Sequence, residues 1–278
     1  MIKTSIFDGN FELIHRCFGL AAGKNLKHKS ICLGLSPQFV EQQAIAGLVG
    51  NLWDQVLSNW SGRIPSQANW RTERQVTIAP QNKSPEVVLE RSIANMAERG
   101  VLSDWYNQVP VASGLIDEKA DKRAAVDLVR VQGSQVDLVE LKWGSDTPAF
   151  AAFEILQYGL AYLLCRDKQD VFGYQDKELL QAEHVSLQVL APAAYYSAYN
   201  LGFLTDGITR GLAHLCLGRD DGFTMSFGFL RFPTDFGLPF ASGRQVLQCV
   251  SEPVDTGANR SLIEAMNDLQ PVWKTRNA

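Results

Sequence analysis

The feature that most constrains this chain is a tight turn set between two strand-like runs. Ala124 to Val131 and Val136 to Trp143 are rich in β-branched and aliphatic residues, and Gln132-Gly133-Ser134-Gln135 separates them. A two-residue turn at Gly133-Ser134 pairs Gln132 with Gln135. Counting outward then sets Val131 opposite Val136, Val129 opposite Leu138 and Asp127 opposite Glu140. Directly opposed residues lie about 5 Å apart at Cβ. Two carboxylates at that distance repel each other unless a cation stands between them, and hard cations such as Mg²⁺ take oxygen ligands. Strands alternate faces, so Glu140 and Lys142 point the same way within an otherwise apolar run. A slip of one residue would undo this geometry.

The flanking segments read as helices and further strands. Ser84-Pro85-Glu86 opens a helix carried to Arg99, with Ser84 as its cap and Glu86 at the positive end of its dipole. Helical spacing gives it an inward stripe of Leu89, Ile93, Met96 and Ala97. Glu86 and Glu90 lie on or beside that stripe, and Arg91, Asn95, Glu98 and Arg99 lie largely opposite. Val109 to Ile116 reads as a strand ahead of the hairpin. The apolar run Pro148 to Cys165, broken by Glu154 and Gln157, reads as a buried helix rather than a membrane span. Val185 to Ala191 reads as a strand. The order is helix, three strands, helix, strand.

The ends are less regular. A helix is expected from Ser36-Pro37 to about Trp60, and a short strand over Gln75 to Ala79. Beyond the core, Leu201 to Leu217 reads as a helix, Phe223 to Phe232 and Arg244 to Ser251 as strands, and Ser261 to Leu269 as a last helix. The expected organisation is an N-terminal extension (1–80), a core (81–200) and a C-terminal α+β extension packed on it (201–278).

Composition narrows the class. With 278 residues the chain can bury a large core without staples. Its net charge of −4 counts against a uniformly basic nucleic-acid binder. Basic clusters occur locally: Lys24, Lys27 and Lys29; Arg71 and Arg74; Lys119, Lys122 and Arg123. Each is equally readable as solvated surface. The five cysteines form no C-x-x-C pair, and no secretion pattern opens the sequence, so a reducing, cytoplasmic location is expected. The four histidines have no metal-ligand spacing. Tyr195, Tyr196 and Tyr199 suit either base stacking or packing.

Asp127 followed by Glu140-Leu141-Lys142 resembles the PD-(D/E)xK motif of restriction-endonuclease-like nucleases. The order of elements over residues 84–191 is similar to their common core. Val126 stands where the name-giving proline would be. Gln157 with Tyr158 or Tyr162 is similar to a glutamine–tyrosine pair of exonuclease-like branches, although a core helix with polar punctuation explains them too. The resemblance implies an α/β fold with N- and C-terminal extensions around that core. It implies Mg²⁺, or Mn²⁺ in its place, on Asp127, Glu140 and the Leu141 carbonyl, with Glu90 or Glu86 holding a second metal or a metal-bound water. It implies that Lys142 orients the attacking water and stabilises the transition state. The implied activity is a DNA phosphodiester hydrolase, an endonuclease. The implied partners are DNA and, through the extensions, a second copy or another protein, with no membrane. A nuclease fold that binds or assembles without cutting, and a plain Glu140–Lys142 ion pair, stand as alternatives.

Overall fold

In a computed structural model, residues 4–36, 42–114, 124–219 and 221–273 are described. Six strands form one open mixed sheet in the order of the sequence: β1 (Trp105–Pro110), β2 (Ala125–Gln132), β3 (Gln135–Leu141), β4 (His184–Ala191), β5 (Thr224–Arg231) and β6 (Gln270–Pro271). The first three form an antiparallel meander. β4 and β5 run parallel to β3, and β6 closes antiparallel on β5. The helices are α1 (Asn10–Cys17), α2 (Lys29–Leu33), α3 (Gln42–Asn59), α4 (Pro85–Glu98), α5 (Pro148–Asp167), α6 (Gln169–Phe172), α7 (Ala193–Tyr196), α8 (Gly202–Cys216), α9 (Gly243–Cys249) and α10 (Gly257–Asn267).

The sheet separates two apolar layers. On one side Val129, Val136, Leu138, Leu187 and Val189 meet α5, with α3 and α8 packed beyond. On the other, Leu128, Val139 and Leu141 meet Val88, Leu89 and Ile93 of α4, with α9 and α10 beside it. The alternation read from the hairpin sorts its residues between these layers. α5 is long and apolar enough to cross a membrane by length and composition, yet nearly all of it is buried in this core. It starts as its sequence suggests, with Pro148 in the first turn and the Thr147 hydroxyl accepting from the Phe150 N–H. Gly159 lets it lie close on the sheet, because a Cβ there would stand 2.4 Å from a Leu187 methyl. All five cysteines are free thiols.

The hairpin turn is as expected. Gly133 has φ +61°, the conformation that a two-residue turn with glycine first requires, and the pairings Gln132–Gln135, Val131–Val136 and Val129–Leu138 are all present.

Five expectations need correction. The strand ahead of the hairpin is Trp105–Pro110, not Val109–Ile116. The chain leaves the ladder at Pro110, which has no N–H to give, and residues 115–123 lie outside the described set, with Lys119, Lys122 and Arg123 among them. Gln75 to Ala79 is extended without a strand partner, since the Asn107 side chain takes both the Gln75 N–H and its carbonyl. That segment lies over α4, which is why Asn95 is buried and donates to the Val76 carbonyl rather than facing solvent. Arg244 to Ser251 is helical, not a strand: Val246 is buried and Leu247 exposed, a pattern that mimics alternation over so short a run. Finally, Ser84 is the N-cap of α4 but its hydroxyl makes no capping bond. Ser36 is the last described residue before 37–41, which lie outside the described set with the expected helix start at Pro37; the described helix α3 begins at Gln42.

Candidate functional site

The hairpin register, continued one pair past Leu128–Val139, sets Asp127 opposite Glu140. The Asp127 Oδ2 atom accepts the Leu141 backbone N–H at 3.0 Å. Lys142, one step beyond, places its Nζ 2.8 Å from Glu140 Oε1 and 3.1 Å from Glu154 Oε2. Glu154 comes from α5, brought within reach by the close approach at Gly159. Glu140 and Lys142 are only 4% and 7% exposed, and two carboxylates, Glu140 and Glu154, share one ammonium.

Such burial distorts the acids. Loss of water pushes Asp127 up to about 6, against the Leu141 N–H and Lys142. It also pushes Glu140 well above the carboxylate range, with Asp127 and Glu154 adding to the rise. Burial alone would lower Lys142, but Glu140 and Glu154 outweigh it and hold the ammonium above its ordinary value. The Tyr158 hydroxyl, one turn along α5 from Glu154, is raised by burial and then by the same acids.

The α4 acids stand apart from this cluster. Glu90 is buried and accepts from Arg91 and Asn107 on Oε1 and from Gln108 on Oε2. Burial still pushes it up to about 7, and Asp127 contributes to the rise. Glu86 accepts from the Trp143 N–H at 2.8 Å and the Ser145 hydroxyl at 2.6 Å, both on Oε1, and its charge raises Asp127. Among the described residues no donor reaches Asp127 Oδ1, Glu140 Oε2 or Glu86 Oε2.

Those oxygens define what the site can hold. Among the described residues no three acids, imidazoles or thiols form a ready metal cage. Mg²⁺ does not need one: it keeps several waters and takes one or two carboxylates together with a substrate phosphate. Asp127 and Glu140 provide such a pair of hard oxygens, and the donor set fits.

Several residues were less visible in the sequence. Glu154 reads there only as a break in an apolar run; its signal is a charge at one-turn spacing from Tyr158. Gln108, which ties down Glu90, has φ +50° and interrupts the β1–β2 ladder where it would face Asp127, a strain that no pattern announces. Gln157 accepts from Asn10 and donates to the Phe153 carbonyl, and the Tyr162 hydroxyl donates to the Leu179 carbonyl, so only Tyr158 of that group adjoins the cluster. Tyr196 is buried, its hydroxyl bonded to the Val189 and Leu230 carbonyls. Among the basic clusters, Lys27, Arg71 and Arg74 are paired with Asp146, Glu73 and Glu98.

No family model matches this chain, and no curated protein and no solved structure is significantly similar to it.

Proposed function

We propose that this chain is a metal-dependent nuclease that hydrolyses DNA phosphodiester bonds, with a restriction-endonuclease-like core running from α4 to β4. The observation that carries this reading is the juxtaposition of Asp127 and Glu140 across the hairpin with the Lys142 ammonium 2.8 Å from Glu140. A Mg²⁺ or Mn²⁺ ion would be held by Asp127 and Glu140, with the Leu141 carbonyl and with Glu86 or Glu90 beyond; there it would supply a water of lowered pKa and polarise the phosphate.

The chain's own groups do the rest. Lys142, kept protonated by Glu140 and Glu154, is a donor and not a general base. It orients the attacking oxygen and offsets charge growing on the phosphoryl oxygens. Glu154 fixes the lysine head. Burial raises Asp127 and Glu140 above the ordinary carboxylate range, and a bound cation would favour their ionised forms. Hydrolysis consumes one water: a P–O bond forms to its oxygen, the P–O bond to the leaving sugar oxygen breaks, and that oxygen takes a proton.

Cleavage of single- and double-stranded DNA with Mg²⁺ or Mn²⁺, by wild type and by the Asp127→Ala and Lys142→Ala variants, tests the reading. Cation-dependent cleavage lost in both variants supports it. A folded wild type that cuts neither substrate, and that shows no heat of Mg²⁺ or Mn²⁺ binding, sinks it. One observation favours a second reading, a nuclease-like fold that binds or assembles without cutting. Lys142 already bridges two carboxylates, so part of the cluster's charge is balanced without any cation.

A further inference from the structure

A second cation lies in the same row of the sheet as Lys142. Leu141 is level with Leu190 in the β3–β4 pairing, and the Lys142 N–H donates to the Leu190 carbonyl at 2.9 Å. One step on, Lys142 is therefore level with Ala191, and Ala191 is paired with Arg231 of β5. Residues level with one another across a sheet share a face, so Lys142 and Arg231 flank the small Ala191 on the α5 side. Two strand spacings, about 10 Å, separate their backbones. The row stands at the carboxyl ends of β3, β4 and β5, where parallel sheets receive their ligands.

No acid answers the charge of Arg231. Its Nη1 and Nη2 atoms donate to the Thr234 hydroxyl at 3.1 Å and to the Gln270 side-chain oxygen at 2.9 Å, both neutral. Gln270 donates in turn to Asp268, so an amide stands between that carboxylate and the guanidinium. Among the described residues no carboxylate pairs with Arg231. A pocket of about 270 Å³ opens at this side chain, with Tyr196, Ser197, Tyr199 and Trp273 in its lining. Arg231 is the one charged residue among the described residues that line it.

We propose that this pocket is an anion subsite for the nucleic-acid substrate: the Arg231 guanidinium takes a backbone phosphate that flanks the one held at Lys142. The inference rests on the nuclease reading of Asp127, Glu140 and Lys142.

Charge and position select the occupant. A pocket with one cation and no acid favours an anion. Two of the five guanidinium N–H groups are used, and the remaining three suit the fork geometry of a phosphate. Alignment with Lys142 then points to the substrate itself rather than to an unrelated anion. A separation of about 10 Å suits phosphates one or two nucleotides apart on one strand. Between the two cations lies α7, with Tyr195 close enough to Lys142 to feel its charge and Tyr196 on the wall of the Arg231 pocket. The strand therefore crosses α7 on its way from one cation to the other. A contact to phosphate fixes register and carries no sequence information, so this subsite positions the strand without choosing a sequence.

Fluorescence anisotropy with the full chain tests this, using a labelled oligonucleotide as single strand and as duplex, with Ca²⁺ in place of Mg²⁺ and rising salt. Arg231→Gln removes the charge. It is expected to weaken binding about fivefold at low salt and to lower the slope of log affinity against log salt by about one. Arg231→Lys, which keeps the charge, is expected to keep the slope. Because Arg231 also holds Thr234 and Gln270, a second variant avoids touching it. Ser197 is exposed and its hydroxyl donates to the Ala194 carbonyl. Ser197→Glu sets a carboxylate in the pocket and is expected to weaken binding about fivefold, whereas Ser197→Gln leaves it unchanged. An unchanged slope in a folded Arg231→Gln protein, an unchanged affinity in Ser197→Glu, or no binding of either oligonucleotide by wild type overturns the proposal. Inorganic phosphate that stabilises wild type but not Arg231→Gln against heat, with oligonucleotide binding unmoved, makes this a free-anion site and overturns it too. The two readings fail separately. Cation-dependent cleavage whose KM is unmoved by Arg231→Gln overturns the subsite and leaves the nuclease. Arg231-dependent strand binding without any cation-dependent cleavage overturns the nuclease and leaves a nucleic-acid-binding site.

Discussion

Two sets of acids lie on either side of β2 and β3, and they are treated differently. On the α5 side, Glu140 and Glu154 share a single ammonium while Asp127 accepts only the Leu141 N–H, and one oxygen each of Asp127 and Glu140 meets no donor among the described residues. On the α4 side, Glu90 spends both oxygens on Arg91, Asn107 and Gln108. Buried carboxylates are normally satisfied, and satisfaction is what a structural role looks like. On the proposed nuclease reading, the contrast suits the hairpin acids to chemistry and Glu90 to architecture, with Glu86 between them. Its Oε1 pins the Trp143 N–H and its Oε2 stays without a donor.

The strongest way to break this comparison is kinetic. Asp127→Asn or Lys142→Ala should lower cleavage by about 10²–10³-fold, the scale of losing one transition-state donor in a dry site. Glu90→Gln keeps acceptor and size, and should cost less than about tenfold. Single-turnover rates on a labelled oligonucleotide separate the two outcomes. Equal losses at Asp127 and Glu90 would mean that Glu90 takes part in the chemistry and that its three donors are set aside when substrate binds.

Much of the candidate site is legible in the sequence, because it rests on a hairpin. A two-residue turn with glycine in a left-handed conformation sets the register, and the register alone brings Asp127 to Glu140. The order of α4, the meander, α5 and β4 was legible too, since each carries a clear period. What escaped depends on tertiary placement. Glu154 matters only because Gly159 lets α5 approach Leu187. The Gln75 segment looks like a strand, and the Asn107 side chain substitutes for its partner. The β1 boundary depends on where the chain leaves the ladder, and that point is set by Pro110 rather than by the apolar run that follows it.

The next prediction sharpens the same contrast through stability. Lys142→Met leaves Glu140 and Glu154 without their cation and should destabilise the protein by about 3–5 kcal/mol at pH 8, the cost of orphaning a buried charge. Near pH 5 the loss should shrink, because Glu140, already raised well above the ordinary range, takes a proton instead. Urea denaturation at the two pH values measures it. A loss that does not change with pH would show that the lysine contributes packing and not charge balance.

A third effect comes from the raised acids themselves. Glu90 and Asp127 ionise near 7 and 6 when folded, against 4.5 and 3.8 in an unperturbed chain. The folded state therefore binds their protons more tightly. This contribution is complete below about pH 4 and is lost as pH rises through 6 to 7. Without a cation, stability should fall across that window by about 2–3 kcal/mol on account of Glu90. The difference between wild type and Glu90→Gln isolates it. Added Mg²⁺ should raise the melting temperature more at pH 7.5 than at pH 5, since a cation binds the ionised pair. A cation response independent of pH would argue against Asp127 and Glu140 as its ligands.

The smallest expected effect tests how α5 joins the two halves of the comparison. A Cβ on Gly159 would meet the Leu187 methyl groups at 2.4 and 2.8 Å, far inside contact distance, and Leu187 is fully buried with little room to turn. Gly159→Ala should therefore cost about 1–3 kcal/mol by overpacking, after an offset from its better helix propensity. Its more informative consequence lies away from the substitution. Lifting the helix draws Glu154 away from Lys142 while leaving the hairpin pairing of Asp127 and Glu140 untouched. Cleavage should fall several-fold through a loosened lysine, and the affinity for Mg²⁺ should change little. Parallel losses in both would mean that Glu154 belongs with the cation-holding acids and does not merely position Lys142.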